Sequence, residues 1–247
     1  MEGKTLVRTK PKVKTMKIQT LFVLFAVLAL SNCTNQTSAD IVIDDFSTAG
    51  VSSLEVTDVV RTASQITTST DQSILGDERE EVLDLVIATT TGTADYTVNT
   101  SDNLFVISQG VDIGLTGSLT YNNIANFDLT DGGVNDQLTL DVRSDIPFAL
   151  ADELTVSATS GTDSFSVDVT IPPNTGSGIV NIAFADFDSV DFTDIDELQL
   201  NFDFTRANGL GRDVDLSFFA ATSSVPEPSS LTVLGLISGV CLLRRRR

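Results

Sequence analysis

Short segments that alternate apolar with polar residues recur along this chain and constrain its fold more than any other feature. Clear examples are residues 137–142 (QLTLDV), 164–171 (SFSVDVTI) and 197–204 (ELQLNFDF). Because successive side chains of a strand point to opposite faces, alternation places one set in a core and the other in water. No segment between the two ends of the chain keeps a long 3.6-residue period. We therefore predict an all-β domain.

The predicted strands are numerous, and turn residues separate them. Further segments lie at 41–46, 82–91, 95–100, 103–108, 117–121, 154–158, 179–184 and 213–218. Residues 62–70 fit either an edge strand or a mobile loop, and residues 74–85 fit a loop that enters a strand. Turns are marked by TDGG at 130–133 and IPPN at 171–174. This spacing, with no internal repeat or linker, predicts a single antiparallel two-sheet β-sandwich of jelly-roll type over residues 40–222.

The first 39 residues have the layout of a secretory signal peptide. Residues 4–17 are rich in lysine and arginine, and residues 18–30 are apolar. Met16 could be the true start, because a compact signal already begins there. The small residues at 37–39 (TSA) predict cleavage before Asp40. The alternative is a lipoprotein site at Cys33, although Asn32 departs from the small residue that usually precedes the lipidated cysteine.

The last 25 residues, 223–247, form a second distinct segment. It begins with a short box that contains Val225, Pro226, Glu227 and Pro228. An apolar stretch follows at 231–243, and the chain ends with Arg244, Arg245, Arg246 and Arg247. As a helix, residues 229–243 would reach roughly 22 Å at about 1.5 Å per residue. That length is short for a stable span of a hydrocarbon core about 30 Å thick.

This order of a Pro-Glu-Pro box, an apolar helix and an arginine cluster resembles the PEP-CTERM sorting signal of bacteria that make exopolysaccharide. The resemblance implies recognition and removal of the tail by an exosortase-type membrane enzyme. It also implies membrane association through the C-terminal helix before processing, and then a place at the cell surface or in the extracellular matrix. An ordinary tail anchor is the alternative, but it does not explain the Pro-Glu-Pro box.

Short patterns in the middle of the chain resemble a second group of exported proteins. DDF at 44–46, ADF at 185–187 and FTDID at 192–196 resemble segments of jelly-roll carbohydrate-binding modules. This resemblance implies carbohydrate binding as an alternative function, with calcium as a stabilising ion. No binding residue can be transferred from these patterns.

Charge separates the middle of the chain from its ends. Of 34 acidic residues, only Glu2 and Glu227 lie outside residues 40–224, whereas ten of the 15 basic residues do. Residues 40–224, the predicted mature region, therefore have 32 acidic and five basic residues. None of the basic residues is lysine, and the net charge is −27. Nucleic acids and anionic membrane surfaces require a basic face, so we exclude both as partners of this region.

The residue types needed for most catalytic sites are missing from the mature region. The chain has no histidine, and its two cysteines, Cys33 and Cys241, lie in the end segments. This removes Ser-His and Cys-His nucleophiles and most transition-metal sites. A carboxylate pair for glycoside hydrolysis remains conceivable, but so many acidic residues produce such pairs by chance. We therefore predict a protein that is not an enzyme.

Calcium is the metal that the sequence favours. Residues 128–136 (DLTDGGVND) space oxygen donors around a glycine turn, which suits a hard cation. The predicted ligands are Asp128, Asp131, Asn135 and Asp136. The spacing does not match an EF-hand, and Asp and Gly at such positions also form turns without an ion. By analogy with jelly-roll modules, a second ion could join Asp44 or Asp45 to Asp213.

Aromatic platforms for sugar binding are scarce. The chain has no tryptophan and only two tyrosines, Tyr96 and Tyr121, which are the candidate carbohydrate contacts. Either tyrosine could equally be a packed strand residue. We therefore predict a non-catalytic exported protein of the cell surface or extracellular matrix, and we keep a calcium-stabilised carbohydrate-binding module as the alternative.

Overall fold

A computed structural model describes residues 40–48, 53–57, 60–70, 73–88, 94–99, 103–111, 113–145, 150–173, 178–205 and 211–224. Within these residues the strands are β1 (Ile41–Asp44), β2 (Leu54–Val56), β3 (Thr62–Thr68), β4 (Glu78–Ala88), β5 (Ala94–Asn99), β6 (Leu104–Gln109), β7 (Ile113–Tyr121), β8 (Gln137–Ser144), β9 (Leu150–Ser160), β10 (Asp163–Ile171), β11 (Ile179–Ala183), β12 (Glu197–Asp203) and β13 (Arg212–Thr222). Single 3-10 turns lie at Leu75–Asp77 and Phe184–Asp186. No helix in these ranges is long and apolar enough to cross a membrane.

The strands form two antiparallel sheets. The six-stranded sheet has the order β10-β9-β12-β7-β4-β3. The seven-stranded sheet has the order β11-β8-β13-β6-β5-β2, and β1 also pairs with β13. β6 pairs with the first half of β13 and β1 with the second half, while β8 pairs along both halves. The predicted all-β, antiparallel two-sheet sandwich is therefore confirmed.

The core lies between the two sheets and follows the alternation in the sequence. In β12, Leu198, Leu200 and Phe202 are buried, and the residues between them are partly exposed. Leu138, Leu140 and Val142 of β8 are buried in the same cluster from the other sheet. Burial of an aliphatic or Phe side chain contributes about 1.5–3 kcal/mol relative to exposure. The alternating apolar residues therefore hold the two sheets together.

Several strands differ from the prediction in extent. β4 begins at Glu78 rather than at residue 82, because Arg79 and Glu81 occupy inward-facing positions that are normally apolar. Residues 62–70 contain an edge strand rather than a loop, since among the described strands Thr62–Thr68 pairs only with β4. The short strand Leu54–Val56, which pairs with β5, was not predicted.

Arg79 has a fully buried side chain in the core. Its Nη1 donates to Oδ2 of Asp44 at 2.5 Å, and its Nε and Nη2 donate to Oε1 of Glu81 at 3.0 and 2.8 Å. The guanidinium carbon lies 5.5 and 5.7 Å from the ring centroids of Phe46 and Phe105, within the range of cation–π contacts. Because Asp44 is on β1 and Arg79 on β4, the ion pair joins the two sheets.

Asp44 receives hydrogen bonds on both carboxylate oxygens. The hydroxyl of Tyr121 donates to Oδ2 at 2.9 Å, and the amide of Phe46 donates to Oδ1 at 2.8 Å. Burial raises the pKa of the Asp44 carboxyl, and the charge of Arg79 opposes that rise. Burial, and then the charge of Asp44, raises the pKa of the Tyr121 hydroxyl well above its usual value. We call Asp44, Arg79, Glu81 and Tyr121 the Arg79 cluster.

Glu81 of β4 completes this cluster, with partners on the edge strand β3. Thr67 Oγ1 donates to Glu81 Oε1 at 2.8 Å, and Gln65 Nε2 donates to Oε2 at 2.7 Å. A buried charge is costly to desolvate unless it is paired and its remaining hydrogen-bonding positions are filled. The carboxylates of Asp44 and Glu81 meet both conditions.

The two ends of the sandwich domain lie side by side. Ile41 of β1 pairs with Ala221 of β13. Shortly after β13, the amide and hydroxyl of Ser224 donate to the two oxygens of Asp136, at 2.7 and 2.5 Å. Residues 40 and 224 therefore belong to the same end of the sandwich.

Candidate functional site

The predicted calcium loop contains backbone conformations that are typical of tight turns. Asp131, Gly132 and Gly133 have φ values of +48°, +68° and +91°. The carboxylate of Asp128 accepts hydrogen bonds from Thr130 Oγ1 and N, at 2.6 and 2.8 Å, and from the amide of Gly132 at 3.2 Å. The side-chain bond from Thr130 is the main reason that the pKa of Asp128 is lowered. Asp128 thus stabilises its own turn.

The other predicted ligands have different partners. Asn135 is buried, and its Nδ2 donates to the carbonyl of Leu129 at 3.3 Å. Asp136 binds Ser224, as described above, and Asp131 is exposed. Among the residues that the structure describes, no group of three Asp, Glu, Cys or His side chains could hold a metal ion.

Calcium at this loop stays a prediction, and thermal unfolding with calcium and with a chelator tests it. An ion bound only by the folded protein raises the melting temperature by mass action. A calcium-dependent rise that Asp128→Asn abolishes would support the site, and an unchanged melting temperature would remove it.

The second predicted ion site, between Asp44 or Asp45 and Asp213, is not formed. Asp45 directly follows Asp44, which is in register with Phe219, six residues along β13 from Asp213, and its carboxylate accepts a hydrogen bond from the amide of Ser47. Asp44 points into the core toward Arg79, so its carboxylate is neutralised by a guanidinium rather than by a metal ion. Asp213 pairs with Ser108 of β6, whose hydroxyl donates to it at 2.6 Å, whereas β1 pairs with the other half of β13. The pairing of β1 with β13 therefore brings the first and last strands together, but not these carboxylates.

The two candidate sugar-binding tyrosines differ. Tyr121 is fully buried, and its ring lies 5.9 Å from that of Phe219. It cannot contact a glycan, so its prediction as a carbohydrate contact is wrong and the packed-strand alternative is correct. Tyr96 lies on β5, where its backbone is in register with Leu54 and Ile107, and its side chain is outside the described part of the structure.

The predicted sorting segment lies outside the described residues from residue 225 onward. This applies to Val225, Pro226, Glu227 and Pro228, to the apolar stretch and to the terminal arginines, as well as to the signal peptide at 1–39. The signal peptide and the sorting segment therefore stay predictions.

A shallow groove crosses the solvent-facing side of the six-stranded sheet, which we call the six-strand face. Its volume is about 320 Å³. Its polar lining consists of Asp84, Thr116, Ser118, Thr155, Asn201 and Asp203. These residues come from β4, β7, β9 and β12, so the groove extends across strands rather than along one strand.

Strand register arranges the polar side chains of this face in rows. The first row contains Val82, Ser118, Asn201, Thr155 and Asp168. The second row contains Glu80, Thr120, Gln199, Ser157 and Ser166. Neighbouring strands are about 4.8 Å apart, so each row presents a side chain at that interval across five strands.

Hydrogen bonds between neighbouring strands hold several of these side chains in place. Thr155 Oγ1 donates to Asp168 at 2.9 Å, and the hydroxyls of Ser157 and Ser166 are 2.8 Å apart. In the centre of the face, Gln199 Nε2 on β12 donates to Thr120 Oγ1 on β7 at 3.1 Å, and Asn201 Nδ2 donates along β12 to the side-chain oxygen of Gln199 at 3.0 Å. Such cross-strand pairs fix rotamers before any ligand arrives.

Sequence reasoning missed this groove. Its residues are the solvent-facing half of four separate strands, and in each strand alone they look like ordinary exposed positions. The available signal was the high share of Ser, Thr, Asn and Gln at these outward positions, instead of the Lys and Glu that are common on exposed surfaces.

A second hollow, of about 280 Å³, lies on the outer side of the seven-stranded sheet. There Arg143 Nη2 donates to both oxygens of Asp141 at 3.2 Å, and Ser217 donates to Asp141 at 2.7 Å. Burial, and then the charges of Asp213 and Asp145, raises the pKa of Asp215, while Arg143 opposes the rise. The arginine and the hydroxyl in this hollow therefore already have partners in the protein.

No protein-family model and no curated protein matches this chain. Among solved structures, the family 11 carbohydrate-binding module of the cellulase Lic26A-Cel5E of Clostridium thermocellum is 13% identical. It has a TM-score of 0.38 and covers 77% of this chain and 98% of its own. The family 30 module of the cellulase Cel9D-Cel44B of the same organism is 14% identical, with a TM-score of 0.39 and coverage of 76% and 99%.

An exo-β-agarase is also similar, at 9% identity and a TM-score of 0.41, over 75% of this chain and 25% of the agarase. Likeness at this level does not extend to a shared ligand or activity. The two-sheet architecture described above rests on this chain's own strand pairing.

Proposed function

We propose that this chain is an exported, non-catalytic surface or matrix protein whose sandwich binds polysaccharide on the six-strand face. The observation that carries the proposal is the groove in which hydroxyl, amide and carboxylate groups from four strands converge. Sugar hydroxyl groups both donate and accept hydrogen bonds, so they match a surface that offers donors and acceptors side by side. Bridging waters can complete such contacts in a shallow groove.

Two carboxylates line the groove, and the proposal assigns neither of them a catalytic role. These carboxylates, Asp84 on β4 and Asp203 on β12, lie on either side of Thr116 on β7 and are in register with it. Asp203 Oδ1 also accepts hydrogen bonds from the amide and hydroxyl of Thr205, at 3.0 and 2.5 Å. The Asp203 carboxylate therefore stabilises the turn that follows β12, a structural role.

Export and sorting form the second part of the proposal. The Pro-Glu-Pro box and the arginine cluster resemble a sorting signal that an exosortase-type enzyme would remove. Ser224, directly before this box, donates two hydrogen bonds to Asp136, so the predicted tail follows immediately after the sandwich. Residues 40 and 224 lie at the end of the sandwich where Tyr121 of β7 meets Asp44 of β1. The groove uses Thr116 and Ser118, earlier in β7, so it lies away from either attachment.

Glycan binding is tested with the full-length chain on an array of polysaccharides. Binding that Asn201→Ala weakens and Ser217→Ala leaves unchanged would support the six-strand face, because Ser217 lies on the opposite sheet. Release of reducing ends from a bound polymer would contradict the non-catalytic role. Absence of binding across the array would contradict glycan binding on the six-strand face and would leave only the role of a matrix protein.

Processing is tested by mass spectrometry of both termini of the cell-surface form. A new C-terminus beside the Pro-Glu-Pro box and a new N-terminus near Asp40 would support sorting. An intact terminal arginine cluster on the surface form would contradict tail removal and favour an ordinary anchor.

A further inference from the structure

We infer that the six-strand face selects uncharged glycan chains and holds them across the strands, along the row from Val82 to Thr155. This inference rests on the proposed function and concerns the same groove. It has two parts, the charge of the ligand and the direction in which it lies.

The preference for uncharged glycans follows from the negative charge of the six-strand face. The ionisable side chains at its outward positions are all carboxylates: Glu78, Glu80, Asp84, Asp168, Glu197 and Asp203. Among the described side chains, the outward positions of these strands contain no basic residue. Arg61, just before β3, lies beside the face, and its Nη2 donates to the carbonyls of Leu85 and Val86.

A polyanionic ligand would therefore meet only like charges at the outward strand positions, with the cation of Arg61 at the margin next to β3. Screening reduces such repulsion beyond about 8 Å at physiological ionic strength, but a ligand seated between Asp84 and Asp203 is closer than that to both. Carboxylates nevertheless accept hydrogen bonds from neutral sugar hydroxyls, and these bonds are stronger than those between neutral groups. The same residues thus favour an uncharged glycan and oppose a uronate or sulfate polymer.

The direction of the bound glycan follows from the arrangement of the first row. Ser118, Asn201 and Thr155 lie on β7, β12 and β9 and are in register with one another. From Val82 to Thr155 the row crosses three strand intervals, or about 14 Å, which accommodates several sugar rings. A chain that followed one strand instead would leave the groove, because the groove is lined by four strands.

The test uses pairs of polymers with the same backbone and different charge, added to the full-length chain. Suitable pairs are hydroxyethyl cellulose with carboxymethyl cellulose, and dextran with dextran sulfate. We expect at least tenfold tighter binding of the neutral member of any pair that binds, with less than a twofold change for that member between low and physiological salt. The double variant Asp84→Asn with Asp203→Asn removes both groove charges. It should reduce the ratio of the affinities for the neutral and the charged polymer several-fold.

Direction is tested with Ser118→Ala and Thr155→Ala, which lie two strands apart in one row. Both should weaken binding of the neutral polymer about tenfold, and Ser217→Ala on the other sheet should not. Loss with Ser118→Ala alone would overturn the crossing direction. Equal or tighter binding of the anionic members would overturn the charge selection while leaving glycan binding intact, whereas failure of every polymer to bind would overturn the proposed function itself.

Discussion

Arg79 and Asp44 form a 2.5 Å ion pair in which neither side chain is exposed to solvent. The pair links β4 of one sheet to β1 of the other, at a position where most sandwiches place apolar residues. Removing one member of a buried pair leaves an uncompensated charge in the core. The Arg79 cluster should therefore matter more for stability than its few hydrogen bonds suggest.

We expect Arg79→Met to lower the free energy of unfolding by about 3–5 kcal/mol, because Asp44 and Glu81 then lose their shared cation. Denaturant unfolding measures this loss. The matched control is Arg143→Met, which removes a surface arginine that is 52% exposed and pairs with Asp141 at 3.2 Å. Exposed pairs contribute at most about 1 kcal/mol. Similar losses in the two variants would contradict a special role for the buried pair.

Tyr121→Phe should lower the free energy of unfolding by about 1.5–3 kcal/mol, because a hydrogen bond to a charged group is lost from the core. The ring itself stays, so its packing against Phe219 is kept. A double-mutant cycle with Asp44→Asn isolates the contact between the two groups. We expect a coupling of at least about 0.5 kcal/mol, and additive losses would show that the 2.9 Å contact contributes nothing.

The dependence of stability on pH should reveal the bond between Asp136 and Ser224. The Ser224 hydroxyl, and then its amide, lowers the pKa of Asp136 from its unfolded value of 3.8. A lowered carboxylate pKa stabilises the folded state above the unfolded pKa, and that stabilisation is lost as the pH falls through the folded pKa. Asp136→Asn should therefore be less stable than the wild type at pH 7, by less than about 1 kcal/mol because the site is exposed.

This difference should shrink as the pH falls below 3.8 and vanish once Asp136 is protonated in both states. The control is Asp131→Asn, which changes an exposed carboxylate of the same loop. A constant difference between wild type and Asp136→Asn from pH 7 to pH 2, measured by chemical unfolding, would show that the carboxylate charge is not the cause.

The strands and the sandwich could be predicted because they follow a local pattern. In β8, β10 and β12 the alternation is nearly complete, and the observed strands match the predicted ones within two residues at either end. The start of β4 could not be predicted in this way. A sequence of charged residues at 77–81 looks exposed, since Arg and Glu are rarely buried without a partner.

The partner of Arg79 lies 35 residues earlier, at Asp44, and no local pattern contains that contact. The groove on the six-strand face is likewise absent from any local sequence pattern. Ser118, Asn201 and Thr155 become neighbours only through strand register, so their convergence is a consequence of topology rather than of spacing in the sequence. Tyr121 was ambiguous for the same reason, because its burial depends on β1.

Gly76 offers a final test, of the turn that leads into β4 and thus toward Arg79. Its φ is +75°, and a Cβ there would lie 2.5 Å from the carbonyl oxygen of Asn123, whose side chain also donates to Gly76 O at 2.9 Å. The matched control is Gly161, with φ +60° and nothing within 4 Å of a Cβ. Gly161→Ala should cost about 1–2 kcal/mol for the left-handed backbone alone.

Gly76→Ala should cost about 1–3 kcal/mol more than Gly161→Ala, because the added methyl group must displace main-chain atoms of residue 123. Denaturant unfolding of both variants at one pH measures the difference. Since the displacement would move the start of β4, the near-ultraviolet circular dichroism of Tyr121, measured in a Tyr96→Phe background, should change with Gly76→Ala and stay constant with Gly161→Ala. Equal losses in the two variants would mean that the loop at residues 123–124 yields freely, and that the turn does not constrain the position of Arg79.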